Sequence, residues 1–307
     1  MKKLLVLIAT SLAMVANAQQ FEVVSLQQVK MGERDVAFHP RFMPDGKTLM
    51  VCDENYDGLG LVNMESQSYI HLTNMRGAGY KAVISEDGNT IVTREINVNE
   101  QTTTLYKLDL ESMELHTIMN DIDHVNNLDF VNGELSVPQR GTTTRRRLNA
   151  ANLTYAPVKD VYVTEEDLKL VVYVSGVRNV IDPLSTEDYD APYCWSSVSP
   201  NREKLLFVSG NDAYVSNIDG TDLVCLGMVH APVWRGNDYV VGMEDYDDGH
   251  VFLGSDIVIM KADGTGKQKL TTNSSELNMY PSVSADGNKI AYHTGEGKIY
   301  LMTIKEK

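Results

Sequence analysis

A short phrase of strand, turn and strand recurs along this chain and limits the folds that it can adopt. In the copy at 279–292, two apolar segments are joined by Asp286 and Gly287. Glycine takes positive φ without steric cost and aspartate tolerates the left-handed region, so the pair predicts a tight hairpin. Further copies lie at 39–49, 82–91 and 195–205.

The spacing of these copies predicts a ring of sheets. Gly46 and Gly88 are 42 residues apart, and Asp219 and Asp263, which end similar strands, are 44 apart. Repeats of about 40 to 50 residues, each a four-stranded antiparallel unit, are typical of a β-propeller. The last repeat offers only three strands, and segment 21–29 is a strand without a hairpin partner. We therefore predict that the N-terminal strand closes the ring and leaves only short sheet edges.

The number of blades depends on region 124–190, which is the least regular part of the chain. This region could hold one enlarged repeat or two short ones. Six blades would average about 48 residues each and seven about 41, and both values are compatible with the fold. We predict an all-β, six-bladed β-propeller in which 124–190 is one enlarged blade, with seven blades as the alternative.

The first residues have the pattern of an export signal. Lys2 and Lys3 precede an apolar run at 4–15, and Ala-Asn-Ala at 16–18 matches a small-x-small cleavage site. No cysteine follows that site, so a lipoprotein anchor is not expected. We predict a signal peptide at 1–18, a single propeller domain at 19–307, and a periplasmic or secreted protein.

Charge and cysteine content narrow the possible partners. The formal net charge is −15, which disfavours nucleic acid because phosphate contacts supply most of that affinity. No later stretch is long and apolar enough to insert in a membrane. Cys52, Cys194 and Cys225 each lie among apolar residues, and we predict buried thiols rather than a disulfide framework. We expect a monomer.

Two phrases carry a resemblance to a known family. They are Pro-x-x-Ser-x-Asp-Gly-Asn-Lys-Ile-Ala-Tyr at 281–292 and Ile-Val-Ile-Met-Lys-Ala-Asp-Gly-x-Gly-Lys-Gln-Lys-Leu-Thr at 257–271. They resemble the WD40-like repeats of TolB-type β-propellers. The resemblance covers most of the mature chain and is poor across 124–190. It implies a bacterial exported propeller that binds something, and it does not name the ligand.

Aligning the repeats on their turns predicts a ring of side chains at the start of each innermost strand. In a propeller these positions surround one mouth of the central channel, where aromatic and hydrogen-bonding groups could hold a peptide end or a sugar. Packing against the neighbouring blade is the alternative. The aligned residues are His39, Lys81, Asn126, Trp195, Ala231 and Tyr280, with His124 and His230 near the same level.

An acidic segment at 244–250 is the sharpest local feature. It offers Glu244, Asp245, Asp247, Asp248 and His250 within seven residues. Hard cations such as Ca²⁺ take several oxygen ligands from such loops. The segment predicts either a Ca²⁺ site, the one cofactor that the sequence indicates, or a solvated acidic loop.

The motifs of common enzyme classes are missing from the sequence, including G-x-S-x-G, H-E-x-x-H and G-x-G-x-x-G. We predict a non-catalytic binding protein of the bacterial cell envelope, whose partner is an envelope protein or an extracellular glycan or peptide. One alternative is a lyase or hydrolase that acts on polysaccharide or peptide through His39, Lys81, Glu244 and Asp247. The other is a Ca²⁺-dependent ligand-binding module.

Overall fold

The computed structural model describes residues 20–123, 125–148, 157–248, 251–272 and 275–307. Within these residues the strands form seven antiparallel sheets, which are the blades of a β-propeller. The predicted all-β propeller is confirmed, and the predicted number of six blades is wrong. The predicted signal peptide at 1–18, His124 and His250 lie outside the described residues. No helix in the described ranges is long and apolar enough to span a membrane.

In blades 1 to 6 the described strands follow one another along the chain, from the channel outwards. Blade 1 contains β2 (Phe38–Phe42), β3 (Thr48–Cys52), β4 (Leu59–Asn63) and β5 (Ser68–Thr73). Blade 2 contains β6 (Val83–Ile84), β7 (Thr90–Asn97), β8 (Thr102–Asp109) and β9 (Leu115–Ile122). Blade 3 contains β10 (Asp129–Val131), β11 (Glu134–Gln139) and β12 (Thr142–Arg147), and blade 4 contains β13 (Val161–Glu166), β14 (Lys169–Val174) and β15 (Val177–Ile181).

The second half of the ring returns to four strands a blade. Blade 5 contains β16 (Cys194–Val198), β17 (Lys204–Ser209), β18 (Asp212–Asn217) and β19 (Val224–Met228). Blade 6 contains β20 (His230–Arg235), β21 (Tyr239–Asp247), β22 (Phe252–Lys261) and β23 (Gln268–Lys269). Blade 7 contains β24 (Asn278–Val283), β25 (Lys289–Thr294) and β26 (Ile299–Glu306), with β1 (Phe21–Gln28) as its outer strand.

The N-terminal strand closes the ring, as predicted. β1 pairs antiparallel with β26, from Phe21 opposite Glu306 to Gln28 opposite Tyr300. The ladder continues past the strand end, because Lys307 donates its backbone N–H to the Gln20 carbonyl at 3.0 Å. The two ends of the described chain therefore share one sheet.

Region 124–190 does not form one enlarged blade. It contains two adjacent blades, 3 and 4, of three described strands each. The inner strand of blade 4, β13, runs in the opposite direction to the inner strand of blade 5. Arg202, in the turn after β16, donates to the carbonyl of Val161 at the start of β13, at 3.0 Å. The backbone N–H of Ser196, in β16, donates to Glu165 near the end of β13, at 2.8 Å. β13 and β16 are therefore antiparallel across the blade interface.

Other inner strands run parallel to each other. The His39 and Tyr280 rings meet at the same end of β2 and β24, and Lys289, after β24, donates to the Gly46 carbonyl after β2. After an odd number of antiparallel strands, the chain exits a blade at the face opposite to the one from which it exits a four-stranded blade. Blades 3 and 4, with three described strands each, therefore reverse the strand direction twice, and β16 again starts at the same face as β2.

The turn between the first two strands has two residues, both left-handed, in blades 3 and 4, and it is longer in the other five blades. In blade 1, Gly46 donates to the Met43 carbonyl and takes φ 63°, while the Asp45 carboxylate accepts from the backbone N–H groups of Lys47 and Thr48 at 2.9 Å. Only the glycine is left-handed, and the aspartate acts as an acceptor that fixes the loop. In blade 5, Arg202 occupies the glycine position with φ 60°.

The hydrophobic core lies between blades, and the described residues form seven apolar clusters around the ring. The cluster between blades 3 and 4 is the smallest, with Val131, Tyr162, Val171 and Tyr173. The two tyrosine rings stack at 4.6 Å. This interface has fewer buried apolar residues than the other six described clusters.

The three cysteines are free, and only one of them matches its prediction. Cys52 is buried, whereas Cys194 and Cys225 are exposed. Cys194 and Cys225 belong to β16 and β19, and apolar neighbours in the sequence did not reveal which face of the strand each occupies. The predicted burial of these two thiols is wrong.

Phe21 tests the contribution of ring closure to stability. Its side chain is 3% exposed, packs edge-on against Tyr239 at 5.1 Å, and lies under the Arg235 guanidinium at 4.7 Å. Phe21→Ala should lower the free energy of unfolding by about 3–5 kcal/mol because it leaves a cavity between blades 6 and 7. Chemical denaturation measures this loss. Val24→Ala, on the exposed side of the same strand, is the control and should change it by less than about 0.5 kcal/mol. Equal effects of the two substitutions would contradict a closure that depends on Phe21.

Candidate functional site

The predicted mouth positions coincide with a repeated irregularity in the inner strands. In four blades the pairing of the first two strands shifts register at the same place. The shifted segments lie between Phe38 and Arg41, Cys194 and Ser197, His230 and Val233, and Met279 and Ser282. These are β-bulges, which bend a strand and redirect its side chains.

Each bulge contains a left-handed residue that is not glycine. His39, Trp195, Ala231 and Tyr280 have φ between 43° and 52°, and Lys81, just before β6, has φ 48°. This conformation costs an L-residue about 1–2 kcal/mol. Such strain persists where the surrounding structure fixes it, and it is concentrated at functional sites. Five of the six positions that the sequence alignment equated therefore share a backbone conformation.

These positions surround one cavity at the channel end, which we call the mouth cavity. Its volume is about 540 Å³. All six aligned residues line it, namely His39, Lys81, Asn126, Trp195, Ala231 and Tyr280. Asn126 contributes from blade 3 without a left-handed backbone. His230 lies just outside, with its ring centroid 5.9 Å from that of Trp195.

One side of the mouth cavity is an aromatic wall. The His39 ring stacks on Tyr56 at 3.8 Å and meets Tyr280 edge-on at 4.5 Å. His293 stacks on Tyr280 at 5.5 Å, behind the wall, and Tyr80 contacts Tyr56 edge-on at 5.5 Å. Such a wall offers flat apolar surface to a ligand at little cost in side-chain entropy.

The opposite side is polar and centres on Glu165. Lys81 Nζ lies 3.3 Å from Glu165 Oε2, and the backbone N–H of Ser196 donates to Glu165 Oε1 at 2.8 Å. Asn126 donates to the Glu165 backbone carbonyl. Asn127 Nδ2 lies 3.1 Å from Ser196 Oγ, so four blades are tied together here.

Sequence reasoning missed part of this site. Tyr56 and Tyr80 come from loops outside the aligned positions, and His293 comes from the second strand of blade 7. Glu165 reaches the mouth from the end of the reversed strand β13. The sequence alignment compared only residues at the start of each innermost strand, so it could not find Glu165.

Both imidazoles of the aromatic wall are neutral acceptors at physiological pH. Burial lowers the pKa of His39, whose Nε2–H donates to the Glu54 carbonyl at 3.1 Å. Burial also lowers the pKa of His293 to about 4, and its Nδ1–H donates to the Thr294 carbonyl at 2.9 Å. A carbonyl can only accept, which fixes each tautomer. His39 Nδ1 and His293 Nε2 are buried and have no partner.

His230 has the opposite character. Its Nδ1–H donates to Asp245 Oδ2 at 2.6 Å, and this hydrogen bond is the main cause that raises its pKa. Asp245 is 7% exposed, so the pair is screened from solvent. The pair holds a charged or readily charged imidazole beside the Trp195 ring.

The acidic segment is divided among several partners. Glu244 pairs with Lys267 at 2.6 Å and with Lys269 at 3.3 Å, and Asp245 pairs with His230. Asp247 ends β21, and Asp248 accepts from the backbone N–H of Val251 at 2.9 Å. No group of three or more His, Cys, Asp or Glu side chains arranged to hold a metal ion occurs in the described part of the chain. The Ca²⁺ site stays a prediction.

Comparisons with known proteins support the fold. Neither a scan against protein-family models nor a search of curated proteins found a match. TolB from Acinetobacter baumannii is similar in structure over 82% of this chain, with 13% identity and a TM-score of 0.55, and the match spans 58% of the TolB chain. A chain of the mitotic checkpoint complex matches 97% of this chain and 98% of its own length, with 14% identity and a TM-score of 0.61. At these identities the likeness shows the propeller fold alone.

The buried His293 predicts a measurable pH dependence. Its folded pKa of about 4 lies below the ordinary 6.5, so the unfolded chain binds a proton more readily between these values. Wild-type stability should therefore fall as the pH drops from 6.5 to about 4, with a contribution from this residue of at most about 1.4 kcal/mol per pH unit. His293→Phe, which keeps a ring beside Phe38 and Tyr280, should reduce that slope in denaturation measured at several pH values.

The pH range above 7.5 is the internal control, since the imidazole is neutral there in both the folded and the unfolded chain. The curves of the two proteins should run parallel in that range. Identical slopes below pH 6.5 would show that His293 does not carry the effect.

Proposed function

We propose that this chain is an exported, non-catalytic propeller that binds a segment of a partner protein at the mouth cavity. The observation that carries the proposal is the set of five left-handed positions, which direct side chains from five blades into one cavity. Their conformation costs stability in the free protein. A strained, rigid mouth is preformed for a ligand and loses little entropy on binding.

The chemistry of the walls fits a peptide. Trp195 is 39% exposed although it is a large aromatic residue, and it faces a cavity whose other wall is formed by Tyr56 and Tyr280. Aromatic side chains at the centre of a concave surface supply most of the affinity in many interfaces. Amide and hydroxyl groups of Asn127 and Ser196 offer donors and acceptors for an extended backbone.

The arrangement favours binding over the enzymatic alternative. That alternative requires His39, Lys81, Glu244 and Asp247 to converge on one substrate. His39 and Lys81 line the mouth cavity, whereas Glu244 is held by Lys267 and Lys269 and is not part of the lining. Lys81 is itself paired with Glu165.

The location and the type of partner rest on sequence and on analogy. The signal pattern at 1–18 and the net charge of −15 support an envelope or extracellular protein partner. One structural neighbour is part of a multiprotein complex, as its name states, and another is TolB. Propellers serve many functions, so this likeness gives support only at the level of the fold.

Affinity capture tests the proposal. The tagged mature protein is incubated with its own envelope fraction, once with Ca²⁺ and once with EDTA. A single abundant partner is expected, and Trp195→Ala or Tyr280→Ala should reduce its recovery about tenfold or more, as loss of a central aromatic residue does at an interface. Tyr189→Ala is the control, because Tyr189 is exposed and lies outside the cavity lining.

The two conditions separate the remaining alternatives. Loss of the partner in EDTA would support the Ca²⁺ site at 244–250. Recovery that survives both mouth substitutions would place binding elsewhere and contradict the proposal. Absence of any partner under both conditions would also contradict it.

A further inference from the structure

A second cavity adjoins the mouth cavity. It has a volume of about 280 Å³, lies further along the inner strands, and we call it the lower cavity. The two cavities share part of their lining, so they lie next to each other. The shared residues are Arg41, Lys81, Asn127, Ser196 and Ser197. A chain end that enters the mouth would reach these residues next.

Arg41 differs in size and charge from the residues at the equivalent positions of the other blades. It lies two positions after the left-handed His39, and the equivalent positions in blades 2, 5, 6 and 7 hold small hydroxyl or branched aliphatic side chains. These equivalents are Val83, Ser197, Val233 and Ser282. One blade thus supplies a guanidinium where the others leave space.

The guanidinium of Arg41 has no carboxylate counterpart. It donates to the Ala82 carbonyl, and no Asp or Glu oxygen of the described residues lies within 4 Å of it. The other cations of the channel lining are paired, Lys81 with Glu165 and Arg202 with Asp129. Protein surrounds Arg41, which lowers its pKa through desolvation, yet the side chain keeps surface that solvent reaches through the channel. An arginine stays protonated in such a place.

A second arginine adds to the positive potential. Arg94 is 2% exposed, donates to the carbonyls of Val125 and Asn126, and packs against the ring of Tyr80 in the mouth wall at 5.3 Å. It too has no carboxylate within 4 Å among the described residues, and its Nε is buried without a partner. The mouth of a strongly acidic protein is therefore locally cationic, and a low-dielectric wall increases that field.

Two serines at positions equivalent to that of Arg41 carry hydroxyls that suit an anionic ligand. Ser197 and Ser282 belong to the lining of the mouth cavity, and the Oγ atom of each is buried without a hydrogen-bond partner, so a rotation about χ1 is needed to turn it towards a ligand. A hydroxyl can donate to a carboxylate oxygen while the planar guanidinium donates two parallel N–H groups to it.

We propose that Arg41 anchors a carboxylate of the bound peptide at the junction of the two cavities. The inference rests on the proposed function and adds the chemistry of the ligand: an extended peptide inserts end-on, its aromatic or backbone groups contact the mouth wall, and a free C-terminus or an Asp or Glu side chain pairs with Arg41. Lys81 remains engaged with Glu165 and provides no free anchor.

Defined peptide pools test the inference. Fluorescent, N-acetylated random hexapeptides are synthesised as free acids and as C-terminal amides, each with and without Asp and Glu. Binding to the wild-type protein is measured by fluorescence anisotropy. Pools that carry a carboxylate should bind about 10- to 100-fold more tightly than the amide pool without Asp and Glu, the range for a hydrogen bond to a charged group. The pool that gains most identifies a terminal or a side-chain carboxylate.

Variants of Arg41 complete the test. Arg41→Gln should bind all pools alike, at the affinity of the uncharged pool, and Arg41→Lys should recover part of the preference. Arg146→Gln is the matched control, since Arg146 also donates to a backbone carbonyl, that of Ile118 at 2.8 Å, but lies on the outer strand β12. Thermal melting shows whether each variant is folded, and the comparison of acids with amides on the wild-type protein stands without the variants.

The outcomes separate the inference from the proposed function. Equal binding of charged and uncharged pools to the wild-type protein would overturn the role of Arg41 and leave peptide binding intact. A preference that persists in Arg41→Gln would move the anchor to another residue and also overturn it. Failure of every peptide pool would contradict the proposed function itself, and binding of oligogalacturonate in their place would assign the mouth to an acidic glycan.

Discussion

Closure of the ring is the constraint on which the rest of the structure depends. Every blade buries both of its faces, and each face is covered only by the next blade around the ring. Blade 7 contributes to the clusters on both of its sides, through Tyr292 towards blade 6 and Ala291 towards blade 1. If β1 left β26, both clusters would open to water. The pairing of the two ends of the described chain therefore stabilises the apolar clusters on both sides of blade 7.

The mouth depends on the same closure. His39 belongs to the first blade, and Tyr280 and His293 belong to the last, yet their rings are in contact. The aromatic wall exists only when the ring is complete, so stability and binding geometry cannot be separated in this molecule. The interface between blades 3 and 4 is the opposite case: it has the smallest buried apolar cluster of the described residues, and we expect local opening to cost least there.

The sequence predicted the periodic features and missed those that break the period. The Asp-Gly turns recur in blades 1, 2 and 7 because the first two strands there are joined in the same way, and aligning the repeats on such turns located six residues that do line one cavity. The strain at Trp195 and Tyr280 left no sign in the sequence, because neither residue type favours positive φ. The blade count failed at 124–190, where two blades have three described strands each and Glu165 enters from the reversed strand. The exposed Cys194 was missed because its apolar neighbours do not tell which face of β16 it occupies.

The reversed inner strand of blade 4 shows which changes in the number of strands such a ring can accommodate. Loss of one strand from one blade would reverse the strand direction in every later blade. The loops of those blades that now face the mouth would then lie on the opposite surface of the ring. Trp195 and Tyr280 would then no longer share a cavity with His39. A second blade with an odd number of strands cancels the inversion, as blades 3 and 4 do with three described strands each. We therefore expect deletions of whole strands to be tolerated in pairs, and a strand added to blade 3 to require one added to blade 4.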